Sequence, residues 1–378
     1  KLYTAIGLMS GTSMDGVDIS IIQSDGHFEL INILDRYFQY DNEIQEELII
    51  LRNVILNQED LMKYVKEVDI IEKKITLFHA DKIKKILSKY KGEIDLIGFH
   101  GQTIFHNPKK KFTKQLGDGN LLSQLLKKKV IYNFRNKDIE NNGQGAPLTP
   151  IFHFLLSKNI NKKYNIQFPI GIVNIGGITN LTNIIKNSDK IEDNISAYDI
   201  GPGNCMIDEW VRKNSNKKFD ENGKGARLGK VDQLILNQAI ENFSVEDYKK
   251  SLDIKDFDLS FVRGLSFEDG LSTITNFTGY LIAKGIEYLN YKNKNVKFLI
   301  SGGGRKNKFL IECIKNNIID KKNIILENVE KYNLDGDYIE SQAFGYLAIR
   351  SFLKLPISFP KTTRCDSPVV GGILAKNY

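Results

Sequence analysis

The stretch IGLMSGTSMDGVDIS, residues 6–20, sets Gly11, Thr12, Ser13, Asp15 and Gly16 between two short apolar runs. Read as a tight β-hairpin, its tip offers backbone N–H groups, hydroxyls and a carboxylate, a set suited to holding phosphate. PIGIVNIGGITNLTNII, residues 169–185, repeats the shape but not the letters: a strand, a turn holding Asn174, Gly176, Gly177, Thr179 and Asn180, then a second strand. A third glycine turn follows in VKFLISGGGRKNKFLIECI, residues 296–314, where Gly302-Gly303-Gly304 joins a strand to a helix with Phe309, Leu310, Cys313 and Ile314 on one side. None is a GxxxxGK[ST] loop or a GxGxxG turn. Taken singly, each reads more readily as an ordinary turn. Two similar hairpins followed by a strand-GGG-helix unit point to duplicated lobes closing on a nucleotide.

Other chemistries compete for the same residues. Gly11-Thr12-Ser13-Met14 echoes the segment around the nucleophilic serine of subtilisin-like proteases, and His100 in FHGQT with Asp199 in YDIGPG would complete a triad. Those proteases continue with Ala and, two residues later, Pro, whereas Asp15-Gly16 follows here. A binding module whose lobes open and close on nucleotide would keep the glycine turns but has no need of Asp199, GQGAP and Glu340 together. His100, His106 and His153 lack the spacing of metal ligands and read as loop hydrogen-bonders.

The elements that must position these residues are legible as runs. Tyr3–Met9, Val17–Ile22 and Phe28–Phe38 read as three strands, residues 42–90 as helical from their Leu, Ile, Lys and Glu spacing, and Ile94–Phe99 as a buried strand ending in a polar loop. Near Val130 the pattern restarts, giving a mixed α/β chain in two lobes. A length of 378 residues suits two domains, and 41% hydrophobic with 26% charged residues is the balance of a soluble globular protein. The net charge of +7 comes with lysine clusters at 109–111 and 127–129 that have no aromatic interleaving, so they read as solvated faces rather than a nucleic-acid surface. Cys205, Cys313 and Cys365 are widely spaced and form no CxxC pair, which argues against disulfides or zinc. No run approaches the roughly 18 apolar residues of a membrane span, and Lys1 leads into a strand without a secretory segment. The expected location is the cytoplasm.

The blocks GLMSGTSMDGVD, GFHGQTIFH, QLGDGN, FRNKDIENNGQGAPLTPIFH, VNIGGITNLT, YDIGPGNCMIDEW, ISGGGRKN and DGDYIESQAFGYLA together resemble the anhydro-N-acetylmuramic acid kinase family, in its order and from end to end. The resemblance implies the actin-like, hexokinase-like ATPase fold, a duplicated ribonuclease H-like α/β architecture with ATP in a cleft between two lobes. The first lobe is expected over 1–130, completed by about 343–378, and the second over 131–342. It implies ATP, Mg2+ and a sugar as partners, and makes a homodimer plausible, with no role for nucleic acid or membrane. One departure stands out: Asn133 occupies the place where the family usually has an Asp before its Phe-Arg pair.

The resemblance also implies roles. Gly11, Thr12 and Ser13 cradle the phosphates with Gly16 in the same turn, Asp15 acts on magnesium through water, Gly176 and Gly177 form a second clasp, and Gly302 and Gly303 admit the adenosine. Asp18 contacts the nucleotide or pins the hairpin. Asp199, at the end of the SAYDI strand, is the expected base, the alternative being a cap on the helix that follows. Arg135 and Glu340, the latter near the start of a helix over 339–353, are expected at the sugar, or else in an ion pair between lobes.

Overall fold

Most positions of Tyr3–Ser10 (β1) and Gly16–Ser24 (β2) are buried, those of alternate direction included, the pattern of strands covered on both faces. The computed structural model describes residues 1–188, 190–243, 248–291 and 295–378. In it β1 pairs antiparallel with β2, which pairs antiparallel with Leu30–Gln39 (β3), an exposed edge. On its other side β1 pairs parallel with Leu96–Asn107 (β4), onto which Phe112–Leu116 (β5) folds back antiparallel and Lys129–Tyr132 (β6) adds parallel. The second sheet takes Ile170–Ile175 (β7), Ile178–Ile184 (β8), Ile195–Pro202 (β9), Val296–Ser301 (β10) and Ile324–Asn328 (β11). A last strand, Ile373–Ala375 (β12), returns to β6 in the first sheet.

The two sheets share one plan. The first runs β3-β2-β1-β4-β6 and the second β9-β8-β7-β10-β11, with antiparallel and parallel neighbours at the same places. This repeat is the duplicated ribonuclease H-like arrangement of the actin-like ATPase fold, as expected. The chain forms two compact units, Lys1–Asn159 with Lys190–Asp193 and Tyr338–Tyr378, and Ile160–Asp189 with Asn194–Asp337. The expected break near Val130 falls inside the first unit, because β6 is hydrogen-bonded to β4 and β12 closes on β6. The expected polar loop after Phe99 is instead more strand, since β5 supplies backbone partners from Gln102 to Asn107.

In the first unit the sheet core, with Leu8, Met14, Ile19 and Phe99, packs on Ile75 and Ile83 of the helix Val65–Leu87. The helix Ile339–Phe352 meets neighbouring glycines instead: Gly7 and Gly98 pair across β1 and β4, and a Cβ would stand 1.9 Å from Ser341 O at the first and 2.2 Å from Phe344 O at the second. That seat brings the helix backbone against the strands and fixes Glu340, half-buried in its first turn. In the second unit Ile200, Phe298 and Ile300 pack with Ile274, Leu281 and Ile282 of the helix Phe267–Glu287. Among the described residues no helix is long and apolar enough to cross a membrane.

Candidate functional site

The turn between β1 and β2 is held by its carbonyl groups. Gly11 O accepts from Gln102 Nε2 at 2.9 Å and Met14 N at 3.3 Å, and Thr12 O accepts from Arg52 Nη1 at 3.0 Å. Asp15 O accepts from Tyr40 N at 2.9 Å and from the Tyr37 hydroxyl at 3.0 Å. With these oxygens engaged, the turn has donors to spare: among the described residues the Thr12 and Ser13 amides give no hydrogen bond to the protein. Met14 takes a left-handed backbone, φ 55°, and its side chain is buried in the core, anchoring the turn. Beneath it the Ser10 hydroxyl bonds that of Tyr40 at 2.8 Å, and His79 donates through Nδ1 to Ile75 O at 2.8 Å. Burial holds His79 at about 4, so the ring is neutral at pH 7.

The second hairpin tip is built the same way from different parts. Gly176 O accepts from Asn204 N at 2.7 Å, and Gly177 O from Gly203 N at 2.8 Å and Cys205 N at 3.3 Å. The backbone amides at the start of the helix Cys205–Asn214 are thus spent on the turn. Gly302, with φ 77°, lies against Asn174 and Ile175, where a Cβ would meet Asn174 Oδ1 at 2.5 Å, and the nearest atom to one on Gly303 is Asn204 Nδ2 at 3.6 Å. Gly176, Gly177, Gly302 and Gly303 therefore come together, with Asn174 and Asn204 among them. Three glycines are not demanded by the fold: the nearest contact to an added Cβ is 3.8 Å at Gly11, 3.4 Å at Gly176 and 3.6 Å at Gly303, none with a positive φ. Gly16 and Gly302 do have reasons inside the fold, since a Cβ would meet Phe38 O at 2.4 Å in the first case and Ile175 O at 2.6 Å in the second.

Arg135 and His100 form a pair: Arg135 donates from Nη2 at 2.9 Å and Nε at 3.2 Å to His100 Nε2, and from Nη1 to Gly145 O at 2.7 Å. Burial and then the Arg135 charge hold the His100 pKa well below its ordinary value. This removes the protease reading, because the Ser13 hydroxyl donates to Asp15 Oδ1 at 2.6 Å and His100 Nε2 is engaged by arginine. His106 stands in β4 rather than in the expected loop, and its Nδ1 lies 3.0 Å from Oγ1 of Thr113, its register partner in β5. Asp199 lies within β9 rather than at its end, since the strand continues to Pro202. Its buried carboxylate accepts through Oδ2 from Leu252 N at 2.9 Å and Ser251 Oγ at 3.3 Å, and it does not cap the helix Cys205–Asn214. Asp18 stands in β2, paired in register with Met9 and Tyr37.

A family model described as anhydro-N-acetylmuramic acid kinase matches residues 3–376. The chain belongs to that family. It is 53% identical over 382 residues to the anhydro-N-acetylmuramic acid kinase of Pelagibacter ubique (strain HTCC1062), covering all of both chains. It is 36% identical to that of Agrobacterium fabrum (strain C58 / ATCC 33970), covering 100% of this chain and 99% of the other. Among solved structures, the activator of the 2-hydroxyisocaproyl-CoA dehydratase from Clostridium difficile with bound ADPNP aligns over 93% of this chain and 96% of its own, at 9% identity and a TM-score of 0.40.

For an anhydro-N-acetylmuramic acid kinase the unusual Asn133 is well placed, because it adopts φ 56°, a region that Asn and Asp enter more readily than other side-chain-bearing residues. Three further residues escaped the sequence reading. Gln102 holds the first turn. Buried Asp138 gathers Gly145 N at 2.7 Å, Thr363 Oγ1 at 2.6 Å and the Ser358 hydroxyl, and so shapes the GQGAP loop. Arg305 ties Gly302 O, at 2.9 Å from Nη1, to Glu330 and Asp337.

Proposed function

We propose that the protein uses ATP and water to convert 1,6-anhydro-N-acetylmuramic acid to N-acetylmuramic acid 6-phosphate and ADP, in the recycling of cell-wall sugar. The observation that carries this reading is the pair of hairpin tips whose carbonyls are tied to the protein while Gly11 and Gly176 have no packing reason to be glycine. Backbone that a ligand must approach closely explains both. Gly11, Thr12 and Ser13, with Gly176 and Gly177, take the phosphates, and Gly302 and Gly303 flank the adenosine. Asp15 is the residue to hold Mg2+, and Asp18 stands nearby on the same hairpin. The described residues contain no cluster of three His, Cys, Asp or Glu that could cage a metal. A single carboxylate oxygen donor fits an ion that keeps its waters and binds mainly through substrate phosphates. When bound, that ion neutralises charge on the transferring phosphoryl group.

The bonds change as follows. Water attacks C1 of the sugar, the C1–O6 bond breaks, O6 forms a bond to the γ-phosphorus, and the bond from phosphorus to ADP breaks. Asp199 accepts the proton of the attacking water. Because O6 passes to phosphorus, its charge is taken up without the general acid that glycosidases need. Arg135 and Glu340 bind the sugar. Free Cys205, Cys313 and Cys365 support a reducing compartment such as the cytoplasm.

Phosphorus NMR with ATP and the anhydro-sugar tests the reading. A sugar 6-phosphate should appear with ADP only when the sugar is present, and in oxygen-18 water the label should enter C1 and not the phosphate. ATP turnover indifferent to the sugar would favour a nucleotide-driven binding module, and label in the phosphate would overturn the order of bond changes.

A further inference from the structure

We propose that His100-Gly101-Gln102 is a bracket of two positioning residues, in which His100 sets the direction of the Arg135 guanidinium and Gln102 sets the Gly11 turn. The inference rests on the roles proposed above for Arg135 and for that turn. Gly101 makes the bracket possible. It adopts φ 77° in the middle of β4, and a Cβ there would stand 2.3 Å from Leu116 O, so only glycine allows this bend with β5 in place.

The bend lets His100 close on its own neighbour, with Nδ1 2.7 Å from Gly101 O. Arginine has donors and no acceptor, so the His100 Nε2 facing Arg135 carries a lone pair. The proton therefore sits on Nδ1 and is donated to Gly101 O, which fixes both tautomer and ring orientation. The Phe344 ring, 4.5 Å away between centroids, packs on the imidazole from the helix Ile339–Phe352. Nε2 then accepts from two nitrogens of one guanidinium, and Gly145 O takes a third N–H, so the fork is held by geometry.

Two residues on, Gln102 is wholly buried, pairs in register with both Ser10 and Leu116, and gives its one observed side-chain hydrogen bond to Gly11 O. Its Oε1 has no partner among the described residues. A buried carboxamide with an idle acceptor is costly for a strand core, where Leu would pack without that penalty. What the amide group does there is hold the Gly11 carbonyl.

The two ends can be separated experimentally. His100→Phe should raise the KM for sugar about ten- to hundredfold, the range expected when a binding group is misplaced by about 1 Å. It should leave the affinity for a non-hydrolysable ATP analogue within about twofold. His100→Gln, whose carbonyl can accept from Arg135, should recover part of the loss. Gln102→Leu should weaken the ATP analogue and spare the sugar KM, with a melting temperature no lower than that of the parent. Gly101→Ala should impair both. Losses in both ligands that track melting temperature in every variant would mean simple structural support and overturn the bracket. Arg135→Ala is the control: a raised sugar KM there with a normal His100→Phe enzyme sinks the inference alone, whereas an unchanged sugar KM in Arg135→Ala removes the role of Arg135 and the His100 half with it.

Discussion

The two hairpin tips occupy equivalent places in equivalent sheets, yet they are restrained by different means. In the first, side chains of Gln102, Arg52 and Tyr37 hold the carbonyls alongside the Met14 and Tyr40 amides, and the turn carries its own carboxylate, Asp15. In the second, backbone amides of Gly203, Asn204 and Cys205 do the holding, and the tip carries no acid. A turn held by side chains can be altered one residue at a time. A turn held by backbone is secured by local chain geometry, and its side chains are spared for other work.

The largest effects should fall on the carboxylates, which the tips do not share. Asp15→Ala should lose Mg-dependent turnover by about a hundredfold or more, from the loss of charge neutralisation at the phosphoryl group. Asp199→Asn should lose turnover by at least the roughly hundredfold typical of a general base while still binding ATP and sugar. Steady-state rates with calorimetric binding check both, and near-normal turnover in either folded variant removes that residue from the mechanism.

Acid should also separate the units. All 5 histidines lie within residues 1–159. Burial holds His79 at about 4 and His153 at about 3, and burial with the Arg135 charge holds His106 at about 3. These folded-state values are depressed below an unfolded value of about 6.5, so the unfolded chain binds protons first as pH falls. Stability is full above about pH 6.5 and is lost on going down to the folded values, about 3 kcal/mol for His79 alone. Hydrogen exchange followed by mass spectrometry should show the first unit losing protection before the second between pH 6.5 and 5. Simultaneous loss would show that other groups dominate.

Smaller effects test the glycines. Gly11→Ala and Gly176→Ala should each leave the melting temperature nearly unchanged, because room exists, but weaken ATP by about tenfold, near 1.4 kcal/mol. Gly302→Ala should instead destabilise the fold by about 1–2 kcal/mol or more, from its positive φ and the Ile175 contact. Unchanged ATP affinity in Gly11→Ala would remove close phosphate approach from that turn. Smallest of all, Arg52→Ala removes an exposed hydrogen bond to Thr12 O and should cost about 0.5 kcal/mol in ATP affinity, the low end for such a bond, by calorimetry. No backbone-held counterpart of this variant exists at the second tip.

Both hairpins were legible because Ile-rich runs flank small residues within a few positions, and a local pattern encodes a local structure. The extent of β4 and β9 was not. FHGQT reads as a loop until β5 is there to pair with it, and the carbonyl-holding role of Gln102 spans 91 positions. Nothing in local spacing singles out Asp138 or Arg305; their partners are Ser358 and Thr363 in one case and Glu330 and Asp337 in the other. Spacing reveals what neighbours in sequence do together, and these residues act on partners that only the folded chain supplies.

The glycine seat on β1 and β4 has a consequence for the order of synthesis. Gly7 and Gly98 emerge early, but the helix that fills them begins at Ile339, after β7 to β11 have all been made. At about 5–20 residues per second, the stretch from Gly98 to Ile339 takes on the order of 10–50 s to make, and through that interval one face of the first sheet is bare. A ribosome that stalls before Ile339 holds a first sheet whose helical cover has not yet been made.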